Sequence, residues 1–126
     1  MSHFTRIRTR LEDREALIQA LSDLGYPIEE GPATGYSGAT APAEVRIPRQ
    51  DGYSIGFSRT TQGTFDVVGD FQMMRDPVDP ARLVQDVTRR YAYHVTRRQL
   101  EQQGFALVEE DVSQDGRVHM LLRRMG

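Results

Sequence analysis

At 126 residues, with 38% apolar and 27% charged residues and a net charge of −2, the chain has the size and balance of one folded domain, without a global attraction to nucleic acid or membrane. It contains no cysteine, which excludes disulfides, thiolate metal sites, iron–sulfur ligation and thiol nucleophiles together. All 16 cationic side chains are arginine, so Schiff-base catalysis and the lysine of a Walker phosphate loop are excluded as well.

The opening Met1-Ser2-His3-Phe4-Thr5-Arg6 lacks the basic and then apolar pattern of a secretory leader. No apolar run approaches the roughly 18 residues of a membrane span. A cytoplasmic protein outside the membrane is expected. Ile7, Thr9 and Leu11 alternate with Arg6, Arg8 and Arg10, which reads as a first strand with a solvated arginine row. Asp13 can cap an amphipathic helix through Ala16, Leu17, Ala20, Leu21 and Leu24, stopped by Gly25. Pro27 to Pro42 is rich in glycine and proline and reads as a long irregular loop.

Val45 and Ile47, then Tyr53, Ile55 and Phe57 beyond an Asp51-Gly52 turn, alternate as a β-hairpin; Phe65, Val67, Gly69 and Phe71 extend it to a three-stranded meander. Asp79-Pro80 opens a long second helix carrying Leu83, Val87, Tyr91 and Val95, which runs to Gly104. Phe105 to Val112 and Val118 to Leu122 flank Asp115-Gly116 as a closing hairpin. The expected fold is a single α+β domain over residues 1–126: strand, helix, three strands, helix and two strands, with a mainly antiparallel sheet and both helices on one face.

Met1-Ser2-His3-Phe4, Leu24-Gly25-Tyr26, Tyr53-x-Ile55-Gly56-Phe57, Arg90-Tyr91-Ala92-Tyr93-His94 and Gln103-Gly104-Phe105 followed by Val108-Glu109-Glu110 occur in this order across nearly the whole chain. Together they resemble the hypothetical chloroplast reading frame thirty-five family, which is found in cyanobacteria, algal plastids and other bacteria. The resemblance implies no established activity. Its members often carry tryptophan where this chain has Phe71 and Met125, and genes for AAA-type ATPases lie near some of them, which implies an accessory role.

Four segments are candidates for chemistry. Gly52-Tyr53-Ser54-Ile55-Gly56 matches the G-x-S-x-G pattern of α/β-hydrolases, yet it follows a turn inside an alternating strand, where a strained strand-to-helix elbow is missing. On the second helix, Arg90, His94, Arg97 and Arg98 fall at three- and four-residue spacing beside Tyr91, forming a cationic strip able to grip phosphate or an acidic partner. The plainer alternative pairs Asp86 with Arg90 and Glu101 with Arg97 on a solvated face, and leaves Tyr91 to the core.

His94 could serve as a general base if the fold supplied a carboxylate; His119 should face away from Val118 and Met120, and His3 lies near the terminus. Arg6, Arg8 and Arg10 with Arg123 and Arg124 would make a basic sheet face if the first and last strands were neighbours. Finally, Gly31 to Ala41 lacks the spacing of a nucleotide loop and suits a flexible excursion with Tyr36 as its one large anchor.

The expectation is a non-enzymatic accessory or adaptor domain that binds another protein through this loop and the exposed side of the Arg/Tyr/His helix, with Arg90, Tyr91, His94, Arg97, Arg98 and Tyr36 as contacts and no cofactor or metal. The alternatives are a phosphate, nucleotide or RNA binder using the arginines, and a small hydrolase or isomerase using His94. Unassigned edge strands leave pairing between copies open.

Overall fold

Local sequence sets both helices in this computed structural model, which describes residues 3–124 apart from the side chain of Glu109. The Asp13 carboxylate accepts a hydrogen bond from the Ala16 amide at 2.9 Å and so starts α1, Arg14–Asp23. At the other end the Gly25 amide returns to Ser22 and the Tyr26 amide to Leu21, both at 3.0 Å, the closing pattern that needs the positive φ of Gly25. Asp79 caps α2, Pro80–Gln102, by accepting from the Ala81 amide, and Pro80 occupies a first-turn position whose N–H would have had no helical partner.

The strands are β1 (Thr5–Arg8), β2 (Glu29–Glu30), β3 (Ala33–Thr34), β4 (Thr40–Ala41), β5 (Val45–Pro48), β6 (Ser54–Arg59), β7 (Phe65–Gly69), β8 (Phe105–Val112) and β9 (Val118–Arg124). Five of them form an antiparallel sheet in the order β1-β7-β6-β5-β2. Val45, Ile47, Ile55, Phe57, Phe65 and Val67 point from it to one side, where Leu17 and Leu21 of α1 and Leu83 and Val87 of α2 join them in a single buried cluster. The α+β arrangement with helices over one face of an antiparallel sheet is thus as expected.

The opposite face is crossed by the β3–β4 pair. A Cβ on Gly56 would lie 2.7 Å from the Ala43 Cβ and 3.0 Å from that of Ala33, so only glycine lets this segment approach β6. Ser54 Oγ accepts the Thr34 amide at 2.8 Å, and Asp70 Oδ2 accepts that of Tyr36 at 2.9 Å. The G-x-S-x-G pattern is thereby explained without chemistry. Gly52 makes a turn at φ +86, Ser54 is a buried brace, and Gly56 is a close approach.

Three details differ from expectation. The first strand ends at Arg8, because the Thr9 hydroxyl both donates to the Phe65 carbonyl and accepts the Leu11 amide, taking over from regular ladder bonds and leaving Arg10 beyond the strand. The 27–42 segment contains β2, β3, β4 and a short 3₁₀ turn, Tyr36–Gly38, so it is less irregular than its composition suggests. Phe71 leaves the meander in a second 3₁₀ turn, Phe71–Met73, and is buried. Met125, the other position where the resemblance implies tryptophan, lies outside the described residues.

The β8–β9 hairpin forms a sheet of its own and packs on α2. Among the described residues β1 pairs only with β7 and β9 only with β8, so the N-terminal arginines and Arg123–Arg124 do not share a sheet there, which removes the continuous basic sheet face. Among the described residues no helix is long and apolar enough to cross a membrane.

Candidate functional site at the junction of α1, α2 and the hairpin

The two helices face each other with α1's acidic ends meeting α2's basic strip. Asp13 takes Arg98, while a single oxygen of Asp23, Oδ2, lies 2.6 Å from both Arg90 Nε and His94 Nε2. Arg97 pairs with Glu101 at 2.9 Å, as its spacing suggests, but Arg90 finds Asp23 and not Asp86. The hairpin joins this network through Glu110, which accepts from the Tyr93 hydroxyl and lies 3.8 Å from Arg90 Nη1. The Arg90 guanidinium also covers the Tyr93 ring at 4.1 Å.

The three arginines of the α2 strip nominated for phosphate binding, Arg90, Arg97 and Arg98, therefore each carry a carboxylate partner, and of the N-terminal arginines nominated with them Arg6 pairs with Asp66 at 3.4 Å. Their charge is met within the chain, which weakens the phosphate reading. Tyr91 packs against the core, and its hydroxyl accepts the Glu12 and Asp13 amides, so it holds α2 to the start of α1. His94 does have a carboxylate within reach, yet Asp23 is shared with Arg90. The groove of about 270 Å³ beside it is lined by Glu15, Gln19, His94, Arg97, Arg98 and Glu101, which include no hydroxyl or thiol nucleophile.

Tyr36 is 51% exposed, but it lies with the β3–β4 pair on the sheet face opposite the helices. It and the α2 strip therefore belong to different surfaces. His119 is exposed while Val118 and Met120 turn inward, as alternation requires.

Sequence reasoning missed Asp23, Tyr93 and Glu110. Tyr93 is off the four-residue stripe of Leu83, Val87 and Tyr91, and it is buried because α2 has the hairpin on its far side. Two grooves flank that contact. One, of about 510 Å³, runs between α2 and β9 past Arg89, Ala92, Tyr93, Thr96, Val118 and Met120. The other, of about 210 Å³, lies towards α1 and includes Leu24, Asp86, Arg90 and Val112. Val108, Val112 and Leu121 of the hairpin are 57, 55 and 56% exposed, and Leu24 is 40% exposed.

Burial opposes ionisation of Asp23, but hydrogen bonds and charge from Arg90 and His94 outweigh it and hold the carboxyl below 3.8. The Ala16 amide, with Arg98, does the same for Asp13. Both carboxyls titrate lower in the folded than in the unfolded chain. The stability they contribute is present above their ordinary value near 3.8 and is lost as pH falls below it through the folded values. A thermal-unfolding series from about pH 6 to about pH 2 should show a steeper acid-side loss for the wild type than for Asp23→Asn. Equal losses would mean that Asp23 carries none of it.

The sequence profile of a family described as "Protein of unknown function (DUF1257)" matches residues 20–121. The chain belongs to that family. It is 32% identical over 127 residues to "Uncharacterized protein ycf35" of Guillardia theta, with 98% of each chain covered. Proteins of the same name from Pyropia yezoensis and Cyanophora paradoxa are 29% and 25% identical, again over 98% of both chains. The resemblance drawn from the short sequence blocks is thus borne out. No solved structure matches.

Proposed function

We propose that this family member is a non-catalytic accessory domain that binds another protein through the β8–β9 hairpin and the grooves it makes with α2. The observation that carries this reading is a groove lined by exposed apolar side chains. Val112 of the hairpin and Leu24 are both more than a third exposed and line the same groove with Val118, whereas Leu121 is exposed on the opposite face of the hairpin. Exposed apolar side chains that share a groove are a mark of interaction surfaces, whereas scattered ones are ordinary. The internal neutralisation of Arg90, Arg97 and Arg98 supports the same choice, because it leaves the α2 strip little charge for a phosphate-bearing ligand.

The test is retention of a soluble protein from the source organism on the immobilised chain, with and without nuclease, compared with Val112→Arg. A partner that resists nuclease and is lost with Val112→Arg, while the variant's circular dichroism is unchanged, is expected. Retention that depends on nucleic acid, or that is equal for the variant, would overturn the reading.

A further inference from the structure

The hairpin leaves one edge open in a particular way. The Ser113 amide donates to the Arg117 carbonyl at 2.9 Å, and Asp111 lies opposite His119 two residues further on. In an antiparallel ladder the residues that exchange hydrogen bonds alternate with those that do not. Arg117, His119 and Leu121 thus turn their backbone groups inward to β8, while Val118, Met120 and Leu122 turn theirs outward. Among the described residues no strand pairs with that outer edge. Val118 and Met120 also line the groove of about 510 Å³ against α2. One side of this groove therefore offers free main-chain donors and acceptors, and its floor offers apolar side chains, which is the combination used in strand addition.

Charge selects the occupant. From Gly116 to Arg124 the strand carries Arg117, His119, Arg123 and Arg124 and no carboxylate. Arg89, in the same groove, donates to the Asp115 carbonyl at 3.4 Å and lies near the Asp115 carboxylate, which pairs with Arg117 at 3.1 Å, so one carboxylate faces two arginines there and His119, Arg123 and Arg124 add to the positive side. Pairing β9 with β9 of a second copy would set these arginines against one another, and like charges on adjacent strands are unfavourable. We propose that β9 accepts an extended acidic segment of a partner protein as a third strand, with an apolar side chain over Met120 and a carboxylate on Arg89. This rests on the protein-binding reading above and names its mode and chemistry.

The experiment selects peptides about seven residues long, the length of β9, from a random displayed library on the intact protein. Enriched peptides should alternate apolar and acidic residues. Binding of a labelled enriched peptide, followed by fluorescence polarisation, should weaken about tenfold with Arg89→Ala. Methylating its backbone nitrogens one at a time should abolish binding at every second position and spare the others. Amide exchange followed by NMR should show Val118, Met120 and Leu122 slowed about tenfold by the peptide, with His119 and Leu121 already slow without it.

Enriched peptides that are basic, that show no alternation under methylation, or that protect other amides would overturn the proposal. So would protection of the same three amides by self-association at rising concentration, since the occupant would then be a second copy. A partner from extract that is lost with Val112→Arg but leaves the three amides unprotected would sink strand addition alone and leave the binding reading intact.

Discussion

Replacing Phe57 by alanine should lower the unfolding free energy by about 3–5 kcal/mol, the cost of losing a buried aromatic ring and leaving a cavity. Phe57 is fully buried at the centre of β6, between Val45 of β5 and Val67 of β7 in register, and its ring belongs to the cluster shared by both helices. Its β-sheet neighbours are held by backbone pairing and cannot collapse into the space. For a domain of this size the melting temperature should fall by about 10–20 °C. Guanidinium unfolding followed by fluorescence and circular dichroism checks it, with an unchanged slope showing that the cooperative unit is intact. A loss below about 1 kcal/mol would place Phe57 outside the core.

Tyr91→Ala is expected to cost about 3 kcal/mol for related but separable reasons. The ring packs against the core cluster, and the hydroxyl accepts the Glu12 amide at 3.1 Å and the Asp13 amide at 2.9 Å. Those amides immediately precede α1, so the contact positions the helix start as well as filling space. Tyr91→Phe keeps the ring and removes the acceptor, and should cost about 1–2 kcal/mol, less if water reaches the freed amides. A melting point unchanged in both variants would show that the ring is dispensable and would return Tyr91 to the list of exposed binding residues.

Much of the local structure was legible because it depends on neighbours in sequence. Asp13 and Asp79 announce helix starts through caps that reach only two or three residues, and Gly25 announces a stop through its positive φ. The alternation of Val45, Ile47, Ile55 and Phe57 requires one buried sheet face whatever lies against it. The same locality made the internal pairing of Arg97 with Glu101 predictable at four-residue spacing.

What crosses between elements was not legible in this way. Asp23 and Arg90 are 67 residues apart and meet only because α1 lies on α2; the nearer Asp86, at the favourable spacing, is left out. Tyr93 breaks the apolar stripe of its helix and becomes buried only when Glu110 arrives on the hairpin.

The sequence by itself determined the element types and the α+β class, the family through ordered blocks, and the absence of thiol and lysine chemistry. The tertiary structure alone decided that Arg90, Arg97 and Arg98 are paired with carboxylates of α1 and its cap, α2 and β8, that Tyr36 and the α2 strip lie on opposite sides of the sheet, and that β9 keeps an open edge among the described residues. The physical reason is range. Propensity, capping and alternation act over a few residues and are written in order along the chain, whereas pairing of charges and exposure of an edge depend on which distant segments the buried cluster draws together.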